Sequence, residues 1–262
     1  MPTLVLPPRY TPDSIALSGA AGAAGWEVER LASWRVPDWL VGRDVVLYGE
    51  PLFAAVVAEP LGVALLEPPF GWLPSLSLQY RQREVRHATL SEARLVREPA
   101  FIKPADDKCF IAKVYEDGEQ LPNEDVLPGI TPVLIAEPVT WEVEFRSFVL
   151  DRAVLTISPY WRAGQLAQTP EGEWADARTG EALEFASRVV ADRAFDLPPA
   201  VALDVGIIQG RGWAVIEANA AWGSGIYGCD PAQVLKAVRR SCIGRHDLTQ
   251  TDRRWVVDHT AA

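Results

Sequence analysis

Two carboxylates and a carboxamide stand out in one short stretch, Ala202-Leu-Asp-Val-Gly-Ile-Ile-Gln-Gly-Arg-Gly-Trp-Ala-Val-Ile-Glu-Ala-Asn219. It reads as two apolar strands joined at Gln209-Gly-Arg-Gly212, a hairpin signal. A turn centred between Gly210 and Arg211 sets Asp204 opposite Glu217, and the two-residue period of a strand adds Asn219 to the same face. Facing carboxylates repel, by roughly tenths of a kcal/mol or more. A hard cation turns that cost into a binding site, because carboxylate and amide oxygens are the ligands Mg²⁺ accepts. The alternative is a carboxylate simply solvated at a sheet edge.

Four further groups could carry charge chemistry. Lys103 and Lys113 are equidistant from Lys108, so a hairpin over 101–115 projects both from one face, where they either repel unless an anion lies between them or are simply solvated. Glu144 and Arg146, two apart in Val143-Glu-Phe-Arg-Ser-Phe-Val149, share a face and make either a structural salt bridge or a ligand clamp. Gly223-Ser-Gly225, just past the acidic strand, allows close backbone approach to a substrate or anion. Arg162, after Ser158-Pro-Tyr-Trp161, is a candidate carboxylate clamp, with surface solvation as its alternative. Asp106 and Asp107 read as exposed loop residues, and His87, His246 and His259 have no metal-ligand spacing. Trp222 reads as packing rather than a stacking platform. Cys229 reads as buried rather than nucleophilic, with no His near it in sequence.

The elements that must position these groups divide at about residue 90. Before it, apolar strands at 3–6, 26–31, 44–48 and 63–66 alternate with helices starting at Thr11 and Leu52, which suggests a small parallel sheet. No GxGxxG follows any of these strands, so a dinucleotide site has little support. Leu76–His87 is expected to be helical. From Ala100 the texture is β-rich, with strands at 101–103, 109–115, 133–139, 142–150 and 153–158. A polar loop follows at 169–180, then amphipathic helices over 181–195 and from Asp230-Pro231 through Arg240.

The chain has 262 residues, 48% hydrophobic and 23% charged, with a net charge of −10. Nucleic-acid backbones are poor partners for that balance, because they bind clustered Lys and Arg. Three scattered cysteines form neither a disulfide framework nor a CxxC pair, and no apolar run reaches membrane-spanning length. With no signal-peptide pattern at the N-terminus, a cytoplasmic location is expected.

Taken in order, the chemistry-bearing residues are Lys, Lys, Glu-x-Arg, Asp and Glu-x-Asn. That order resembles the ATP-grasp superfamily, and within it the clade named for one Arg and two Lys. The segments that carry it are Phe101-Ile-Lys-Pro-Ala-Asp-Asp-Lys108 with Lys113, Glu144-Phe-Arg-Ser-Phe-Val149, Ala202-Leu-Asp-Val205 and Val215–Pro231. The resemblance implies an α+β ATP-grasp fold, two lobes holding ATP between them, over 91–245. A small Rossmann-like α/β domain over 1–90 precedes it, and a polar tail over 246–262 follows. By the same resemblance Lys103 and Lys113 hold phosphates, with Lys108 on the covering loop. Glu137, Pro138, Val139 and Thr140 form the hinge that touches adenine, and Glu144 holds the ribose. Asp204, Glu217 and Asn219 bind one or two Mg²⁺, which Mn²⁺ could replace, and Arg146 steadies the transferred phosphoryl group or acyl phosphate. Arg162 and Gly223, Ser224 and Gly225 are left for the substrate. Pro104–Lys108 has no glycine where many superfamily members have a Gly-rich loop. The implied activity is an ADP-forming ligase joining a small-molecule or peptide carboxylate to an amine. A small-molecule kinase and a non-catalytic MgATP-binding module are the rival readings. Substrate identity and oligomeric state are not legible.

Overall fold

The computed structural model describes residues 1–105 and 109–256. The expectations placed on Asp106, Asp107, Lys108 and His259 lie outside the described residues. The chain forms two compact units, one of Met1–Pro68, Val143–Val205 and Glu217–Ala262, the other of Pro69–Glu142 and Gly206–Ile216. This partition differs from a cut near residue 90. The N-terminal α/β segment shares a unit with the C-terminal half of the chain, and residues 69–90 join the β-rich segment.

In the first unit, β1 (Thr3–Leu6) is buried along its whole length, which suits the apolar run Leu4-Val5-Leu6 at the centre of a parallel sheet. It is flanked in parallel by β2 (Glu27–Arg30) and β3 (Val45–Leu47), in the order β2-β1-β3. Helix α1 (Pro12–Ala23) starts at Thr11, whose hydroxyl accepts the Ser14 N–H while Ser14 answers reciprocally, and Pro12 pre-sets the first turn. Helix α2 (Pro51–Val57) follows β3. The expected fourth strand, β4 (Val63–Leu65), does not extend the parallel sheet. It pairs antiparallel with the distant Cys242–Gly244, because its three buried residues need a partner that lies far along the chain.

The second unit opens with a departure. Instead of one helix over 76–87 there are two single-turn helices, α3 (Trp72–Ser75) and α4 (Leu78–Arg81), and then a strand, β5 (Val85–Thr89). Gln82 takes a left-handed φ of 52°, which ends α4 and redirects the chain. A short turn, α5 (Leu90–Ala93), leads to β6 (Ala100–Pro104), β7 (Lys113–Tyr115) and β8 (Pro132–Ala136), in an antiparallel sheet ordered β5-β8-β6-β7. Its core gathers Ile102, Tyr115, Val133 and Ile135 with Leu90 and Ala93.

Beyond residue 140 come β9 (Trp141–Leu150), β10 (Ala153–Arg162) and β11 (Gln165–Leu166), then α6 (Thr179–Ala191), β12 (Ala200–Ile208) and β13 (Gly212–Asn219). The sheet order is β11-β10-β9-β12-β13. Helix α6 buries Phe185, Ala186, Val189 and Val190 of the expected apolar stripe, with Ala182 in place of the exposed Leu183, and ends at Ala191 rather than 195. Helix α7 (Pro231–Ser241) is capped by Asp230, whose carboxylate accepts the N–H groups of Ala232 and Gln233. Its inner residues Val234, Leu235 and Val238 share one core with Leu4, Val46, Phe53 and Trp222, so Trp222 is packing. The chain then forms β14 (Cys242–Gly244), the partner of β4. The segment expected to be a featureless polar tail contains a capped turn, α8 (Gln250–Arg253), and a buried Trp255 whose carbonyl accepts the Glu67 N–H. Among the described residues no helix is long and apolar enough to cross a membrane.

One buried cation orders the second unit. Arg83, 6% exposed, donates to the carbonyls of Arg81, Val215 and Ile216 and lies 4.9 Å from the centre of the Trp141 ring. Arg83→Met removes a charged donor from those carbonyls and leaves a methionine in the buried site. It should therefore cost about 2–4 kcal/mol of stability, read from the urea midpoint.

Candidate active site

Strand β9 carries Glu144 and Arg146 on one face, and its pairing with β10 sets Arg146 against Ser158 and Glu144 against Trp161. One residue more lies on β10 than on β9 between these pairs. The extra residue is Tyr160, at a register shift between Pro159 and Trp161. Such a bulge re-aims a side chain. Here the Tyr160 hydroxyl donates to Glu144 Oε2 at 2.5 Å, and its ring centre lies 5.5 Å from the Arg146 guanidinium carbon. Tyr227 stacks on Tyr160 at 4.9 Å, lies 5.2 Å from the same guanidinium and meets Trp174 edge-on. Tyr227 holds a left-handed φ of 48°, a conformation worth about 1–3 kcal/mol of strain in a non-glycine residue. Just after it, a Cβ at Gly228 would lie 2.4 Å from Trp174 Cβ and 2.6 Å from Ser158 Oγ, so only glycine lets the loop pass.

Arg146 is the centre of the cluster. Its Nε donates to Asp204 Oδ1 at 2.8 Å and its Nη2 to Asp204 Oδ2 at 2.6 Å, a two-point pair in which Asp204 is completely enclosed and Arg146 is 8% exposed. Nη1 donates to the Gly225 carbonyl at 3.2 Å, and Nη2 lies 4.0 Å from Glu217 Oε1. Burial disfavours the guanidinium charge, but the Asp204 carboxylate outweighs it and holds the Arg146 pKa above its usual value. Burial, then the charges of Asp204, Glu144 and Glu217, push the Tyr160 phenol well up, so it stays a neutral donor.

These contacts revise the acidic hairpin. Strands β12 and β13 end at Ile208 and resume at Gly212, with Gly210 and Gly212 at φ of 75° and 91° and the Arg211 N–H returning to the Ile208 carbonyl. Three residues connect the strands, and Asp204 and Glu217 both lie against the Arg146 guanidinium, on one side of the sheet. The cation between the two carboxylates is Arg146. Asp204 is therefore enclosed rather than open to a metal. Glu217 and Asn219 are half-buried neighbours on β13, with Asn219 Nδ2 donating to Glu217 Oε1 at 2.8 Å. Among the described residues no three His, Cys, Asp or Glu side chains group into a metal site. The oxygen-only set of Glu217 and Asn219 still has the donor chemistry that Mg²⁺ requires, and Asn219 supplies an amide oxygen that such a grouping leaves out.

The remaining expected residues separate. Ser224 is buried, donating to the Ala220 carbonyl and accepting from the Tyr48 hydroxyl through its own carbonyl at 2.9 Å, while Gly223 packs against the Gly49 carbonyl. Arg162 already clamps a carboxylate of this chain: its Nε and Nη2 hold Asp176 Oδ2 at 3.0 and 2.6 Å, and Arg178 holds the same group. Sequence inspection could not foresee this, since Asp176 reaches Arg162 across a loop. In the second unit Glu137 binds Arg211 through both carboxylate oxygens, with Oε2 at 3.0 Å, and this hydrogen bonding holds its pKa below the usual range. The Glu137 N–H goes to the Glu84 carbonyl and the Thr140 carbonyl accepts the Gln209 N–H, so Glu137, Pro138, Val139 and Thr140 are tethered at both ends.

The two lysines do not share a face. The register pairs Ile102 with Lys113, which puts Lys113 on the Ile102 side of the sheet, 4.8 Å from the Tyr115 ring, and Lys103 on the other. The hairpin is offset by one residue from the symmetry assumed about position 108.

Four residues of the cluster are not singled out by the sequence, Asp13, Tyr48, Tyr160 and Tyr227, although Tyr227 lies within the Val215–Pro231 segment. Asp13 Oδ2 accepts the Ile226 N–H at 3.2 Å and faces the Tyr48 hydroxyl at 3.5 Å. Burial raises the Asp13 pKa against these bonds and the pull of Arg146. The only available signals were Tyr227 lying between Gly225 and Gly228, and Asp13 at a helix start, which reads equally as a cap.

Two outcomes follow from this geometry. Arg146→Met strands an enclosed Asp204 charge and should cost about 3–5 kcal/mol, much of it restored by adding Asp204→Leu, as read by urea unfolding. Cys229 and Cys242 are buried, with thiol pKa values pushed up by burial to about 12, whereas Cys109 is exposed. A thiol reagent at neutral pH should therefore modify one cysteine per native chain and three after unfolding.

The fold is shared with solved ATP-grasp structures. One is described as an ATP-grasp RimK domain protein from Sphaerobacter thermophilus DSM 20745, 16% identical, with a TM-score of 0.54 over 93% of this chain and 100% of that one. Another is the D-cycloserine synthetase DcsG, also 16% identical, with a TM-score of 0.53 over 91% of this chain and 98% of that one. No curated protein matches the chain significantly. The family model of the ATP-grasp domain, family 2 of the clade named for one Arg and two Lys, matches residues 80–237, a span that holds both lysines, Glu144, Arg146, Asp204, Glu217 and Asn219; the chain belongs to that family, whose members use ATP with Mg²⁺.

Proposed function

We propose that the protein is an ATP- and Mg²⁺-dependent ligase that joins a carboxylate to an amine through an acyl phosphate. The observation that carries this reading is the Arg146 guanidinium, held by Asp204 and 4.0 Å from Glu217, which Asn219 hydrogen-bonds. A fixed cation beside hard oxygen donors suits phosphoryl transfer, which needs alignment and charge neutralisation more than covalent help.

The chemistry is balanced in two steps. A carboxylate oxygen of the substrate attacks the γ-phosphorus of ATP, the bond to the bridging oxygen breaks, and ADP leaves. An amine then attacks the acyl carbon, inorganic phosphate leaves, and the amine releases a proton. Arg146 neutralises charge on the transferring group, and the Tyr160 and Tyr227 rings keep water from its flank. Glu217 and Asn219 are the residues that would hold Mg²⁺, which when bound neutralises polyphosphate charge. Asp204 serves the site by orienting Arg146. Glu144, fixed by the Tyr160 hydroxyl, is assigned to the ribose and the tethered 137–140 segment to adenine. Lys103 is the lysine assigned to the phosphates, since Lys113 occupies the other sheet face.

Glu217→Gln combined with Asn219→Ala should abolish the rise in melting temperature that MgATP gives the wild type, and lower ADP release with a carboxylate and amine panel by roughly a hundredfold or more. Unchanged turnover would remove the metal role of β13. Thermal stabilisation by MgATP without any ADP release would favour the binding-module reading, and a stable phosphorylated product without an amine would favour a kinase.

A further inference from the structure

A second gathering of charge lies well away from Arg146. The first unit holds a cavity of about 260 Å³ with four arginines in its wall, Arg152, Arg193, Arg240 and Arg254. Arg152 is in the turn that joins β9 to β10. Arg146 is six residues back along β9, roughly 15–20 Å at about 3.3 Å per residue, so the two clusters do not share a site. Asp151 and Arg152 both take left-handed φ, 46° and 63°, as the tightest hairpin turns require. The Asp151 N–H donates to the Pro199 carbonyl, and the Arg152 guanidinium to the carbonyls of Val190, Asp192 and Phe195. Carbonyls satisfy the donors of Arg152 but leave its charge unneutralised. Burial, and after it the charge of Arg193, lowers the Arg152 pKa against the pull of Asp196 and Asp192. Arg254 pairs with Asp196 at 2.9 Å and Arg240 with Asp252 at 2.7 Å. Among the described residues Arg152 and Arg193 form no ion pair, and the enclosed Arg240 Nη1 has no acceptor.

Four guanidinium groups around one small space repel unless an anion stands among them, and in a chain of net charge −10 such a positive field is a local exception. Thr251 adds a hydroxyl donor. Leu197, Pro198 and the buried Trp255 make part of the lining apolar, which strengthens charge attraction inside. The volume lies below the ~300–1,000 Å³ of a drug-sized ligand site, so the occupant is small. Arginine forks match oxyanions. A carboxylate presents two oxygens in one plane, whereas a tetrahedral phosphate turns three or four oxygens to separate walls and carries up to two charges. We propose that this cavity is a binding site for a phosphate group, either inorganic phosphate or the phosphoryl end of a small phosphomonoester. The anion offsets the charges of Arg152 and Arg193, which no carboxylate of the described chain claims. This is a site separate from the Arg146 cluster and does not rest on the ligase reading.

The test titrates the full chain by calorimetry, without nucleotide and at fixed ionic strength, with inorganic phosphate, glycerol phosphate and acetate. At least one phosphate-bearing anion should bind roughly tenfold or more tighter than acetate. Tighter binding of inorganic phosphate assigns the free anion and tighter binding of glycerol phosphate assigns an ester, and either supports the site. Arg193→Glu, at an exposed position with no ion pair to lose, should fold normally and weaken phosphate binding about tenfold or more, while Arg193→Lys should retain part of it. The combined Glu217→Gln and Asn219→Ala variant should bind phosphate as the wild type does, which separates this cavity from the nucleotide's own phosphate contacts. The proposal is overturned if neither phosphate-bearing anion binds the wild type, if acetate binds equally well, if Arg193→Glu leaves the affinity unchanged, or if the Glu217 and Asn219 changes abolish phosphate binding. Phosphate binding that depends on Arg193, in a protein that MgATP fails to stabilise, would remove the nucleotide reading and keep this site.

Discussion

A buried ion pair must be satisfied or not exist, and that constraint on Arg146 and the fully enclosed Asp204 organises the first unit. Neither charge could remain buried alone, because the desolvation of one is offset only by the other. The pair draws β9 and β12 into a fixed relation and takes its third hydrogen bond from the loop that follows β13. Around it the chain adds groups that tolerate a buried cation. Two tyrosine rings lie within cation–π distance, a carbonyl points inward from Gly225, and the Cys229 thiol closes on the Arg146 carbonyl.

The cost of this arrangement is visible in the backbone. Tyr227 accepts a left-handed conformation and Gly228 passes with no room for a side chain, both beside the guanidinium. A bulge at Tyr160 gives up one residue of strand regularity to bring a phenol onto Glu144. Strain and irregularity at Tyr160, Tyr227 and Gly228 accompany a polar cluster that must be rigid. A guanidinium that cannot move needs no reorganisation when charge develops next to it, which is what a phosphoryl-transfer site demands.

The division of labour among acidic residues also follows from burial. Asp204, fully enclosed, orients Arg146. Glu217, half-buried and 4.0 Å from Arg146, offers with Asn219 the oxygen donors that the proposed Mg²⁺ site requires. Asp13, on the N-terminal helix, is linked through Tyr48 and Ile226 to the same loop. A carboxylate in a sequence motif thus takes its role from how much water reaches it.

By itself the sequence determined the element types wherever periodicity was strong: the buried β1, the striped α6, the Asp230-capped α7 and the hairpin-rich middle. It also identified the family through residues whose order along the chain is diagnostic. Only tertiary structure decided which of those residues meet. Register moved Lys103 and Lys113 to opposite faces, Arg146 came to pair with Asp204, and Asp176 claimed Arg162. The strand over 85–89 and the β4–β14 pair depended on partners about fifty and about 180 residues away. Local patterns encode propensity, whereas register, bulges and partner choice are set by which distant groups must share a dry interior. Asp13 and Tyr227 acquire meaning only there.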